Sequence, residues 1–191
     1  MKKIDAGIVR RVVTANDGDG QAQFNFDDNA PNIKIRKAAG WTSTVIWHTE
    51  NSPAQFINDK DASYGDFNVE PTKCGTIFRI VDFPPESILD STIESNVAVL
   101  NELGLKSTLS HNQVFAHKAM HCTNTIDYAV VMSGEIDMVF PSRKGVHLAE
   151  GDVLVQQGTP HAWVNRGKSI CRIAFVLVDA NLNNGDSNVN A

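Results

Sequence analysis

The sequence predicts an all-β protein: short strands closed into two facing sheets, preceded by further strands and one helix. Three observations carry this prediction. From residue 114 onward, apolar residues alternate along short runs, the pattern of half-buried strands. Turn clusters rich in Gly, Asn, Asp and Ser separate these runs roughly every 8–12 residues, the spacing of sandwiches and barrels. One segment alone, ahead of those runs, repeats apolar residues at helical spacing. So many inward-alternating strands are buried only when two sheets face each other.

The first strand is expected over 8–14 (IVRRVVT). Asn16-Asp17-Gly18-Asp19-Gly20 follows as a turn; without flanking helices it does not read as a calcium loop. Residues 41–48 (WTSTVIWH) alternate as a second strand, with Trp41 and Trp47 of equal parity and so expected to cover one sheet face. Residues 49–74 are polar and contain Pro53 and Pro71, which predicts a long excursion. Residues 75–83 (GTIFRIVDF) form a strand with Ile77, Arg79, Val81 and Phe83 on one face and Phe78, Ile80 and Asp82 on the other; Pro84-Pro85 ends it.

The helix comes next. Ser91 or Thr92 is its candidate cap, Ile93, Val97, Leu100 and Leu103 recur at helical spacing, and Gly104 stops it. DYAVVMSGEIDMVF then reads as a hairpin around Ser133-Gly134-Glu135. A turn at 142–145 leads to two runs split by Glu150-Gly151-Asp152, and two more strands flank 166–169. ICRIAFVLV is apolar on both alternating faces, as an inter-sheet core or a dimer contact would require. The expected organisation is N-terminal strands, loop and helix over 1–109, a barrel core over 110–180, and a flexible Asn-rich tail over 181–191.

Composition narrows the function. The chain has 191 residues, one domain's worth, with 42% hydrophobic and 20% charged residues, an ordinary globular balance. Lys+Arg 17 against Asp+Glu 22 gives a net charge of -5, which speaks against nucleic acid as a partner. No apolar run reaches the roughly 18 residues of a membrane span, and the start lacks the apolar core of a secretory signal. Cys74, Cys122 and Cys171 lie far apart with no C-x-x-C pair, so zinc-knuckle and dithiol motifs are excluded and a reducing, cytoplasmic setting is expected. There is no phosphate loop, nicotinamide fingerprint or nucleophile elbow, which disfavours kinases, dehydrogenases and serine hydrolases.

Two stretches carry the chemistry. The first runs His121-Cys-Thr123-Asn-Thr-Ile-Asp127, with six residues between Asp127 and Gly134. The second runs Gly151-Asp-Val-Leu-Val-Gln-Gln-Gly158-Thr-Pro-His161-Ala-Trp163-Val-Asn165. Together they resemble the two motifs of the cupin superfamily. The second is the more specific: Gly151, Gly158, His161 and Asn165 stand where the pattern puts them, while Gln156-Gln157 replace a usual Pro and the motif is one residue shorter. RRVVT and FRIVDFPP extend the likeness toward a subgroup of small stand-alone cupins from secondary-metabolite pathways, some of them called oxidoreductases. The resemblance implies a double-stranded β-helix, the jelly-roll barrel of cupins.

It also implies a divalent metal at the mouth of the barrel. His121 matches the first motif histidine, Asp127 the glutamate and His161 the histidine of the second motif, whereas Thr123 stands where a second histidine belongs. Two imidazoles and a carboxylate suit iron, manganese, zinc or nickel. Equal parity lets His121, Thr123 and Asp127 face one cavity if the chain stays extended. In the alternative, a metal-free pocket, the histidines are acid–base or hydrogen-bonding groups and Asp127 orients one of them. Trp163 and Asn165 share the parity of His161, so Trp163 either stacks on a flat substrate or packs in the core. His117 is a loop residue, or a further ligand if the strand bulges; His48, His111 and His147 fit no pattern. Gly158 precedes the turn bearing His161, where the backbone is expected to need a positive φ.

The expected function is an enzyme acting on a small organic substrate, oxidoreductase- or dioxygenase-like, with His121, Asp127 and His161 as catalytic residues and metal ligands, and Thr123, Trp163 and Asn165 lining the pocket. A metal-free isomerase or dehydratase and a non-catalytic small-molecule binding protein are the alternatives. Uncovered sheet edges and the doubly apolar strand suggest a homodimer.

Overall fold

Antiparallel pairing organises the chain from the first strand to the last. The computed structural model describes residues 5–88, 96–105, 117–141 and 144–181. Strands β1 (Arg10–Asn16) and β2 (Ala22–Asn29) form a hairpin, in which Asp17 Oδ1 accepts from the amides of Asp19 and Gln21 to shape the turn. A six-stranded sheet has the order β3-β4-β5-β11-β6-β9, built from β3 (Asn32–Arg36), β4 (Trp41–Thr49), β5 (Thr76–Phe83), β6 (Thr125–Ser133), β9 (Val153–Gln157) and β11 (Cys171–Asp179). A three-stranded sheet of order β10-β7-β8 faces it, from β7 (Glu135–Val139), β8 (Val146–Ala149) and β10 (Ala162–Val164). This is the expected all-β double-stranded barrel with N-terminal strands and a helix.

The core sits between the two sheets. Ala129 and Val131 from β6, Ile173, Phe175 and Leu177 from β11, and Val81 and Phe83 from β5 meet Ile136, Met138, Leu148 and Trp163 from the small sheet. These are the inward positions of the alternation in each strand. Burying a side chain such as Ile173, which is fully enclosed, contributes roughly 1.5–3 kcal/mol. Strands β3 to β5 are half of the large sheet, so the sheet crosses the 109/110 division expected from sequence.

The N-terminal segment covers part of the outer face. Gly7 N–H donates to Asp82 Oδ2 at 2.7 Å, the Thr44 hydroxyl donates to Gly7 O at 2.9 Å, and Ala30, Ile46 and Ile80 pack with Val9 and Ala174. The apolar outward side of β11 thus finds part of its cover within one chain.

Helix α1 (Asn96–Leu103) closes one end of the barrel. Val99, Leu100 and Leu103 pack on Ala39, Ala119, Met120 and Ala162. Asn96 Nδ2 donates to Lys118 O and Met120 O, which ties the helix to the residues just before His121. Gly104 ends the helix at φ +72, and Leu105 N–H returns to Leu100 O at 2.9 Å. The expected cap at Ser91 or Thr92, Ile93, His111 and the 181–191 tail beyond its first residue lie outside the described residues. No helix among those described is long and apolar enough to cross a membrane.

Two local expectations change. Trp41 and Trp47 do not share a face. The register of β4 on β5 shifts between Val45 and Trp47, so Trp41 points into the barrel while Trp47 pairs with outward Phe78. A bulge adds one residue and inverts the parity beyond it. His121 and Thr123 are not in a strand either: β6 begins at Thr125, and His121 makes an isolated bridge to His161.

Candidate active site

One cavity collects most of the candidate residues. It is lined by His121, Thr123, Asp127 and His161, by Trp41, Phe83, Trp163 and Phe175, and by Arg36, Ser43 and Arg79. It holds about 500 Å³ of space, part of it open to solvent. Its far wall is the inner face of the large sheet; the two histidines come from the side of β10.

His121 and His161 are locked together through their backbones. His121 N–H donates to His161 O and His161 N–H to His121 O, both at 2.9 Å, and the two rings lie 4.6 Å apart between centroids. His121 Nδ1 lies 2.8 Å from Ala119 O, and His161 Nδ1 lies 2.9 Å from Thr159 O. These contacts assign the proton to Nδ1 in each ring and leave Nε2 as the lone-pair atom. Burial holds the pKa of His121 below the ordinary imidazole value. Burial, then the neighbouring His121, pushes His161 down to about 3. Both rings are therefore neutral at physiological pH.

Asp127 is held differently. Its Oδ1 accepts from the Thr125 hydroxyl at 2.5 Å, and Thr125 Oγ1 is also 2.7 Å from Thr123 Oγ1. Thr125 has one proton, so with an ionised carboxylate it donates to Asp127 and accepts from Thr123. Thr123, at the position of the absent histidine, thus begins a hydroxyl chain that ends on the carboxyl. Burial pushes Asp127 up to about 6, against the lowering effects of Thr125 and Arg79.

The buried alternation His121, Thr123, Thr125, Asp127 bears the parity argument even though regular strand starts only at Thr125. The three expected ligands share the cavity, yet among the described residues no group of three His, Cys, Asp or Glu side chains is placed to hold a metal ion. The donor chemistry fits an ion in part: two neutral imidazoles with free Nε2 atoms, and a carboxyl turned toward Thr125.

Trp163 is both pocket wall and core. It stands edge-on to His161 at 5.8 Å and 84°, and packs on Phe175 at 5.4 Å. Asn165 lines a neighbouring cleft, where its Nδ2 donates to Phe83 O and Ser169 O and its Oδ1 accepts from Gly167 N–H. Its polar atoms hold the turn between β10 and β11. His117 is a loop residue 3.1 Å from Glu86 in that same cleft. His48 lies against Ala62 O, and His147 is bonded to Asp137.

Sequence reasoning missed four contributors. Gln156 Oε1 accepts from Thr159 N–H at 2.9 Å and its Nε2 donates to Thr159 O at 3.3 Å, so it props the turn that carries His161. The signal was its place where cupins usually have Pro. Arg79 announced itself as an arginine on the apolar face of a strand. Arg36 and Ser43 gave no such signal.

Gly158 has φ +61, and a Cβ there would stand 3.3 Å from Thr123 O. Gly158→Val is expected to cost roughly 1–3 kcal/mol, because a β-branched residue is strained at that φ and pushes on the Thr123 backbone. Thermal melts check it: an unchanged melting temperature would mean the turn does not need this conformation.

Barrel and motifs together resemble those of cupins. No family model matches the chain. The chain is similar over most of its length to cupin-domain-containing oxidoreductases. One is fogC of Aspergillus ruber, 28% identical over 184 residues, which cover 92% of this chain and 76% of that protein. Another is srdD of Neurospora crassa, 27% identical over 177 residues, covering 90% and 75%. Phomopsin biosynthesis cluster protein D of Diaporthe leptostromiformis is 29% identical over 178 residues, covering 89% and 78%. Among solved structures, the cupin domain of Cnp3 from Schizosaccharomyces pombe superposes with a TM-score of 0.45 at 8% identity, over 95% of this chain and 96% of that one.

Proposed function

We propose that this chain is an oxidoreductase-like cupin enzyme acting on a small organic substrate, with Asp127, His121 and His161 as its working groups. The observation that carries the reading is one aromatic-walled cavity containing two neutral imidazoles and a carboxyl that titrates near 6. Asp127 takes a proton from the substrate or returns one, since a carboxyl with a pKa near the working pH exchanges protons efficiently. Thr125 holds its Oδ1 and leaves Oδ2 to face the substrate. The Nε2 atoms of His121 and His161 accept hydrogen bonds and orient the substrate. Phe83, Trp163 and Phe175 exclude water and stack on a flat molecule. The oxidoreductase names of the relatives support the class of reaction, in which dioxygen would take up the two electrons that the substrate gives up while Asp127 moves its proton.

Turnover tests the reading. The purified chain is incubated with a library of small aromatic acids, phenols and ketones, and products are followed by mass spectrometry. Conversion of at least one compound is expected, with a loss of about 100-fold or more in Asp127→Asn and in His161→Ala. Conversion unaffected by both substitutions, or none by the wild type, overturns it.

A second reading rests on the imidazole pair. A divalent iron, manganese, zinc or nickel ion would be held by Nε2 of His121 and His161, supplying Lewis acidity or dioxygen chemistry. The fold has its own core, so dialysis against a chelator is expected to move the melting temperature by less than about 2 °C. His161→Ala is expected to reduce the metal content of reconstituted protein to background in elemental analysis. Stoichiometric metal that survives this substitution would place the ion elsewhere.

A further inference from the structure

Two guanidinium groups line the cavity, and neither is paired with a carboxylate among the described residues. Arg79, on β5, is 4% exposed; its Nη2 donates to Asn68 O and Val69 O, and its Nε has no partner. Arg36, at the end of β3, is 6% exposed; its Nη1 donates to Glu102 O and its Nη2 to Phe67 O. All four acceptors are neutral backbone carbonyls. The nearby carboxylates are engaged elsewhere: Glu102 Oε2 accepts from Ala39 N–H, and Asp66 pairs with Lys34.

A third group points the same way. Three buried side-chain atoms lack a partner among the described residues: Ser43 Oγ, Arg79 Nε and Ser133 Oγ. Ser43 and Arg79 both line this cavity. Native proteins rarely leave buried polar atoms unpaired, and a buried cation without an anion is costly. Burial and the charge of Arg36 push Arg79 down to about 10, so it stays protonated at neutral pH. Among the described residues, Asp127 is the one acidic side chain lining the cavity, against two arginines, and its hydrogen bond goes to Thr125. Among the described residues the cavity thus holds two guanidinium groups against one carboxyl, and neither guanidinium is hydrogen-bonded to it.

We propose that Arg79, Ser43 and Arg36 form a subsite for the carboxylate of a flat, aromatic organic acid, the substrate class of this enzyme. This rests on the reading of the cavity as the substrate site. A planar carboxylate accepts from the Arg79 guanidinium edge and the Ser43 hydroxyl, while Arg36 adds charge. The strands then set the length of the substrate. Arg79 stands opposite Phe175, and Asp127 opposite Leu177, with β11 between β5 and β6. Two strand spacings, about 10 Å, separate the strand of Arg79 from that of Asp127. A carboxylate anchored at β5 therefore presents the far end of a one- or two-ring molecule to Asp127 and the histidine pair, with aromatic rings along the way.

The test is calorimetric titration of chelator-treated full-length protein with benzoate and with its neutral counterpart benzamide. Removing metal first prevents a carboxylate from binding through an ion. Benzoate is expected to bind at least about tenfold more tightly than benzamide, as a charge-assisted bond requires. High salt should weaken benzoate and leave benzamide unchanged. Arg79→Gln should bring benzoate down to the benzamide level. Because Arg79 also holds the carbonyls of residues 68 and 69, Ser43→Ala provides the milder variant, with a several-fold loss for benzoate alone. Equal binding of the two compounds, a preference that survives both substitutions, or no binding of either overturns the anion subsite. Equal binding still leaves the cavity as a ligand site, and the working groups stand or fall separately on turnover in Asp127→Asn and His161→Ala.

Discussion

Replacing Asp127 by Asn is expected to raise stability at pH 8 by on the order of 2–3 kcal/mol while abolishing turnover. The carboxyl is pushed up to about 6 by burial, whereas in the unfolded chain it titrates near 3.8. Between those values the folded protein keeps a proton that the unfolded chain has lost. Stability contributed by Asp127 therefore falls as pH rises from about 4 to about 6, and stays low above that. Asparagine keeps the shape and removes the buried charge. The gain should correspond to about 5–10 °C in melting temperature at pH 8 and vanish by pH 4. The histidine pair acts with the opposite sign. Burial holds His121 low and His161 at about 3, so the unfolded chain binds protons first and stability falls as pH drops below about 6.5. In the wild type the two trends partly cancel between pH 4 and 6; Asp127→Asn should expose the full acid sensitivity of the histidines. Urea melts from pH 4 to 8 measure both, and an advantage for the variant that does not change with pH would refute this account. A buried carboxyl that weakens the fold is what the role proposed for Asp127 entails.

Asp82→Ala is expected to cost about 3–5 kcal/mol, a fall of about 10 °C or more. Asp82 is 1% exposed and takes both ends of the Arg172 guanidinium, at 2.6 and 2.8 Å, as well as Gly7 N–H at 2.7 Å. Removing it strands Arg172 and frees the N-terminal segment that covers the outer face of β4, β5 and β11. Arg172→Met in the same chain should recover much of the loss, since an apolar side chain of similar volume needs no partner. If the double variant melts no higher than Asp82→Ala alone, the loss comes from the Gly7 contact rather than from the unpaired guanidinium.

The strands legible in the sequence were those rich in apolar residues, on one face or, in β11, on both. β5 reads directly as Ile77, Arg79, Val81 and Phe83 inward, and β6, β9 and β11 follow their alternation. β2 (AQFNFDDN) and β3 (NIKIR) gave no such signal. They are polar, rich in Asn and Asp or Lys and Arg, and they pair because a neighbouring strand offers its edge. The parity of Trp41 and Trp47 failed for a related reason. A bulge is a compromise between two strands, and one strand alone does not announce it.

The residues of the site divide the same way. Alternation along an extended chain put His121, Thr123 and Asp127 on one face, and the resemblance to the cupin motifs added His161 to them. Only the tertiary structure decided what each does there. It placed Asp127 on Thr125 rather than in a three-donor group, and gave Asn165 to the backbone of the β10–β11 turn. It also brought Arg36, Ser43 and Arg79 from three strands to the same cavity. Local sequence sets the face on which a side chain emerges; its partner, its burial and its pKa depend on atoms contributed by segments tens of residues away.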